Sequence, residues 1–231
     1  MVFDQVAAPI DGVIFDFHAT LVDGGDPDRW IGAAVRRLGA DGSTTPRLSA
    51  AELEGLREHL HRIWQYAHTI DPASERDLSQ ARHREVFTGT VARCPGVTPD
   101  LIAALYAVMA DQWVLFDDAL PVLRELKSRG VKIVVLSNNG MDIRGFLDRT
   151  GLTGLLDGVL LSYEVGLIKP DPAIYALALK LLDVPGGRTL MVGDSASDDV
   201  GGVALGIRTL ILPRTEGPVH GLGAVLRLVG P

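Results

Sequence analysis

The sequence predicts an α/β protein: a parallel sheet core with a helical unit inserted after the first strand. Three observations carry this. Five short, apolar, β-branched runs (Val13–Phe17, Lys132–Leu136, Val159–Leu161, Leu190–Val192 and Thr209–Leu212) are apolar on both faces, as strands covered on both sides require. The later runs alternate with helical patterns, which is the signature of a parallel sheet with right-handed crossovers. Residues 24–115 break that rhythm and hold no convincing strand. The expected organisation is a core from 1–23 and 116–231 and a helical insert from 24–115, with hinges at Gly24-Gly25 and at Phe116–Ala119.

In chain order, the first run ends at Asp16-Phe17-His18. In the insert, Ser49-x-x-Glu52 is a capping box. Leu53, Leu56, Leu60, Ile63, Trp64 and Ala67 then mark one face of a long helix. A second helix begins near Thr98-Pro99-Asp100 and runs through Leu101, Leu105, Met109 and Trp113. Residues 119–129 have apolar positions at helical spacing and stop at Gly130, a glycine suited to the C-cap. The segment Asp142–Thr150 stops in the same way at Gly151. The segment Pro172–Leu182 opens with a proline in its first turn, where the missing N–H costs little.

Composition narrows the function classes. The 231 residues are 47% hydrophobic and 22% charged, enough for a substantial core, and the formal charge is −7. There is no basic run or arm, so a nucleic-acid partner is not expected. The single cysteine, Cys94, excludes an intrachain disulfide and fits a reducing, cytoplasmic compartment. The start MVFDQVAAPIDG lacks the basic and apolar stretches of a signal peptide, and no apolar run approaches the ~20 residues of a membrane span.

Open parallel sheets bind ligands beyond the carboxyl ends of their strands. Asp16 follows the first run, and Ser137, Asn138 and Asn139 follow the second. Lys169-Pro170-Asp171-Pro172 lies beyond the third, and Gly193, Asp194, Ser195, Asp198 and Asp199 follow the fourth. Singly, each has an ordinary role: a helix cap, an exposed lysine, a tight turn, an acid near a helix N-terminus. As a set they converge on one sheet edge. Asp16 and Asp194 would form a hard oxygen site for Mg²⁺, and Asp16 could attack phosphorus as a nucleophile. Ser137 and the amides beside it would bind phosphoryl oxygens, Lys169 would neutralise charge, and Asp199 would hold Lys169.

The set resembles the haloacid dehalogenase superfamily. Its first motif matches Asp16-Phe17-His18-Ala19-Thr20-Leu21, its second the strand ending at Ser137, its third Lys169, and its fourth Gly193-Asp194 with Asp198-Asp199. The resemblance implies a Rossmann-like core with an α-helical cap at 24–115. It also implies Mg²⁺-dependent hydrolysis of a small anionic phosphorylated substrate. On this reading Asp16, His18 and Lys169 are catalytic, and Thr20, Ser137, Asn138 and Asn139 contact substrate. Asp16, Asp194 and the backbone carbonyl of His18 hold the metal, supported by Asp198 and Asp199.

His18 departs from the phosphatase pattern, which places an acid/base aspartate there. Either the imidazole does the proton work itself, its unperturbed pKa near ~6.5 suiting that duty, or acid/base function is lost. The resemblance also covers 2-haloacid dehalogenases, which attack carbon without metal but lack the Gly-Asp pair kept here at Gly193-Asp194; Tyr175 would suit either branch. Phosphonate-cleaving members need a cap lysine, and no lysine precedes Lys127. Mutases reuse the missing aspartate. A non-catalytic binding protein with the same fold is the third alternative.

In the insert, His59, Arg62 and Tyr66 share a helical stripe that either meets an anionic substrate or forms a solvated surface. His61, His68 and His83 lack a metal-ligand pattern and are expected on the surface. Cys94 has no basic partner to activate it. Trp30, Trp64 and Trp113 are expected in the insert's core.

Overall fold

A computed structural model describes residues 8–42, 47–215 and 217–230. The chain divides into two compact units, one of residues 1–23, 115–138 and 147–231 and the other of residues 24–114 and 139–146. Among the described residues, no helix is long and apolar enough to cross a membrane.

The first unit is built on five parallel strands: β1 (Gly12–Phe15), β2 (Lys132–Ser137), β3 (Gly158–Leu161), β4 (Thr189–Gly193) and β5 (Arg208–Ile211). Their order is β3-β2-β1-β4-β5. Each of the five apolar runs is therefore a strand, with ends displaced by a residue or two. β1 is central, with Val13 opposite both Ile133 and Leu190. The pleat sends alternate residues to opposite faces. Ile14, Val134, Leu136, Leu160 and Met191 pack on Ile174, Tyr175, Ala178 and Leu182 of the Pro172–Leu182 helix. That helix starts where sequence places it, with the Asp171 carboxylate accepting from the Ala173 N–H at 2.8 Å and Pro172 in the first turn. The Ala119–Ser128 helix buries Ala119, Val122, Leu123 and Leu126, and Gly130 behind it is left-handed at φ 75°.

The second unit is helical: Pro27–Ala40, Ala50–His61, Ile63–Ile70, Gln80–Val91 and Pro99–Val108. Its core gathers Trp30, Leu38, Leu56, Leu60, Phe87, Leu101 and Leu105, and the Trp30 indole N–H donates to the Leu105 carbonyl at 2.8 Å. The capping box forms, with the Ser49 N–H donating to Glu52 at 2.7 Å and the Glu52 N–H to Ser49 Oγ at 3.3 Å.

Three expectations for this unit fail. The long helix after Ser49 breaks at Arg62 (φ −111°), so the stripe restarts in a second helix; Ile63 and Ala67 are buried there but Trp64 is 40% exposed. His83 is buried, not on the surface, because it faces inward toward Tyr106. The second helix, expected to reach Trp113, ends at Val108 and is followed by a 3₁₀ turn over Met109–Asp111. Arg62 pairs with Glu58 at 2.9 Å and His59 stacks on Tyr66, which gives that stripe local partners.

Candidate active site

Asp16 stands one residue beyond β1, and its N–H donates to the Val192 carbonyl at 2.9 Å. The central strand thus carries this carboxyl between the end of β2, where Ser137 is the last strand residue, and the end of β4, which Asp194 follows. The loop after Asp16 is tight. The Leu21 and Val22 N–H groups both return to the Phe17 carbonyl, the Ala19 N–H reaches the Val22 carbonyl at 2.7 Å, and Ala19 takes φ 57°. This folds Thr20 inward. It is fully buried, and its hydroxyl points at Asp16 Oδ2 at 3.4 Å.

Lys169 arrives from the loop beyond β3. Its ammonium lies 2.6 Å from Asp16 Oδ1 and 2.7 Å from Asp199 Oδ1, with the residue only 4% exposed. Asn138 clasps the lysine backbone, accepting from its N–H at 2.7 Å and donating to its carbonyl at 3.0 Å. Asp199 also accepts the Ser195 N–H at 2.9 Å and presses on Gly193, where a Cβ would sit 2.0 Å from its Oδ2. The glycine before Asp194 is thus needed to admit the Asp199 carboxylate.

The electrostatics follow from this packing. Burial raises the Asp16 carboxyl to about 6, partly offset by the Lys169 charge, so it stays mainly ionised at neutral pH. Burial opposes the Lys169 charge, but Asp16 and Asp199 outweigh it and hold the ammonium well above the ordinary lysine range. Oxygens of Asp16, Asp194 and Asp199 lie within 4.8 Å of one another. Three carboxylates against two cations, Lys169 and the largely exposed Arg214, leave one excess negative charge in a set of hard oxygen donors, which fits a divalent cation such as Mg²⁺.

The expected residues do not all serve alike. Asp16, Lys169, Asp194 and Asp199 form one cluster. Among the described residues Ser137 makes no side-chain hydrogen bond, which leaves its hydroxyl available. Thr20 and Asn138 are committed to Asp16 and to the Lys169 backbone. Asn139 groups with the helical unit, where its side chain accepts from the Met141 N–H at 2.9 Å. The Asp198 carboxylate accepts from Ser197 Oγ at 3.0 Å, and its carbonyl takes the Tyr175 hydroxyl at 2.5 Å. His18 is half-buried, edge-on to Phe17 at 4.9 Å between ring centres, and bridges to Val22.

Sequence reading missed Arg214. Its Nε lies 2.5 Å from Asp194 Oδ2, joining a side chain 74% exposed to one 6% exposed. The strand-end rule applied to β5, which ends at Ile211, would have flagged it.

A haloacid dehalogenase-like hydrolase family model matches residues 10–206. The chain is 34% identical over 144 residues to a ribulose-1,5-bisphosphate 5-phosphatase of Halopiger xanaduensis, a match covering 62% of this chain and 59% of that protein, less than two thirds of its length. It is 27% identical over 218 residues to an (S)-2-haloacid dehalogenase of Pseudomonas sp. strain YL, covering 93% and 87%. A crystal structure described as a HAD phosphatase from Thermococcus onnurineus superposes with TM-score 0.64 at 21% identity, over 96% of this chain and 98% of that one, a likeness of fold.

Proposed function

Because the chain belongs to the haloacid dehalogenase-like hydrolase family, we propose that it is a Mg²⁺-dependent phosphatase of a small phosphorylated metabolite, with Asp16 as nucleophile. The carrying observation is the buried Asp16–Lys169–Asp199 chain set against Asp194 at the sheet's carboxyl edge. Asp16 Oδ1 faces Lys169, whereas Oδ2 has only the long Thr20 contact, so Oδ2 is the oxygen that attacks phosphorus. The P–O bond to the leaving alcohol breaks as the aspartyl-phosphate forms, and His18 gives that alcohol its proton. Ser137 donates to a phosphoryl oxygen, and Lys169 offsets its charge. His18 then takes a proton from water, which attacks phosphorus, releases phosphate and restores the Asp16 carboxylate. Mg²⁺ bound by Asp16, Asp194 and the His18 carbonyl would offset the repulsion between these acids and an anionic substrate.

The test is phosphate release from a panel of phosphate esters with and without Mg²⁺. Turnover that requires Mg²⁺ and disappears in Asp16→Asn supports the assignment. No turnover of any ester, or turnover unchanged by Asp16→Asn, contradicts it. A second reading, hydrolysis of a 2-haloacid at carbon, is favoured by His18 standing where phosphatases carry their acid and by the near full-length likeness to a dehalogenase. Halide release from (S)-2-chloropropionate that survives chelation of metal would establish it. The acid at Asp194, which that chemistry leaves idle, supports the phosphatase.

A further inference from the structure

The helical unit holds a cavity of about 450 Å³ lined by Gln80, Ala81, Arg84, Tyr106 and the segment Gly140–Asp142. Its size suits a small metabolite. Two arginines two residues apart have opposite surroundings. Arg82 faces Asp71, Glu75 and Glu85 at 3.5, 3.8 and 3.0 Å. Arg84, in the cavity wall, has no carboxylate partner among the described residues. The one acid lining the cavity, Asp142, is taken by Arg144, whose guanidinium lies 3.1 Å away. The cavity is therefore cationic at Arg84.

The arginine is also positioned. Its guanidinium carbon lies 4.8 Å from the Tyr106 ring centre, over the aromatic face, and the side chain also hydrogen-bonds Tyr106, which leaves its other N–H donors for a ligand. Tyr106 is fixed in turn by His83, Nδ1 to hydroxyl at 3.0 Å. Burial, helped by the Arg76 charge, pushes His83 down to about 4, so the ring that hydrogen-bonds the tyrosine hydroxyl is neutral at neutral pH. The Gly140–Asp142 part of the wall is fixed where Gly140 seats on the 3₁₀ turn at Glu75–Leu78 and on the helix that carries Arg84: a Cβ there would lie 2.2 Å from the Arg76 carbonyl and 2.6 Å from His83 Cβ.

We propose that this cavity binds a small oxyanion, a carboxylate or phosphate group, through the Arg84 guanidinium. A planar guanidinium stacked on a ring and lacking a carboxylate partner is suited to bidentate capture of such a group. The cavity lies wholly within the helical unit, so the proposal stands independently of the phosphatase reading.

The localised test is phenylglyoxal modification read by peptide mass spectrometry. Inorganic sulfate or malonate should protect Arg84 in the full chain and leave the surface Arg62 as reactive as before. Tyr106→Phe keeps the ring and the protection, whereas Tyr106→Ala weakens it. Equal reactivity of Arg84 with and without either anion overturns the proposal.

Discussion

At the residue scale the proposed chemistry turns on His18, the one position that leaves the phosphatase pattern. If its imidazole moves the proton, His18→Ala should lower kcat by the ~10²–10⁴ typical of losing a general acid/base, with KM little changed. An unchanged rate refutes that role, and a rate that rises in His18→Asp marks the histidine as a weakened replacement. Arg214 supplies a second prediction. A cation bound at Asp194 must share or displace a guanidinium 2.5 Å away, so Arg214→Gln should bind Mg²⁺ more tightly by calorimetry. Weaker binding would show that Arg214 supports the metal site instead. Asp16, Lys169, Asp194 and Asp199 were legible in sequence because each lies beyond a strand end, where a parallel sheet gathers its functional groups. The fates of Thr20 and Asn138 were not, because side-chain direction depends on the tight loop after Asp16 and on a contact 31 positions away.

At the element scale the strands were the most legible, since runs apolar on both faces admit few other readings. The helical insert was less so. Its apolar stripe runs through Arg62 unbroken in sequence, yet the chain kinks there, and the consequence is an exposed Trp64. The burial of His83 was hidden because polar neighbours in sequence conceal an inward-facing position. That burial gives a stability prediction. The folded ring resists protonation down to about 4, while the unfolded chain protonates near ~6.5. Between these values the unfolded state binds more protons, so this contribution, present above pH ~6.5, is lost as pH falls toward 4. It amounts to at most about 3 kcal/mol. Denaturant unfolding followed across that range should show a shallower pH dependence in His83→Gln, which keeps an acceptor for Tyr106 without titrating. Burial shifts His59 and His220 the same way, so the slope should shrink, not vanish. An identical slope in the variant would refute the assignment.

At the scale of the whole molecule, the chain divides into a sheet unit and a helical unit, and the segment Asn139–Phe146 after β2 groups with the helices. Sequence placed the insert at 24–115 from its loss of strand rhythm and put residues 139–146 with the core at 116–231; they group with the helices instead, because that grouping depends on tertiary packing such as Gly140 against Arg76 and His83. The sheet unit supplies the buried Asp16 carboxylate, a buried lysine and an acidic cluster. Under the proposed phosphatase chemistry, their common purpose is to form and break a phosphoryl bond to Asp16. Rapid acid quenching of the protein mixed with Mg²⁺ and a turned-over ester, followed by peptide mapping, tests that claim most directly. The predicted result is a phosphoryl group on the peptide carrying Asp16, absent in Asp16→Asn. Steady release of phosphate with no such adduct, at a rate that Asp16→Asn leaves intact, would contradict it.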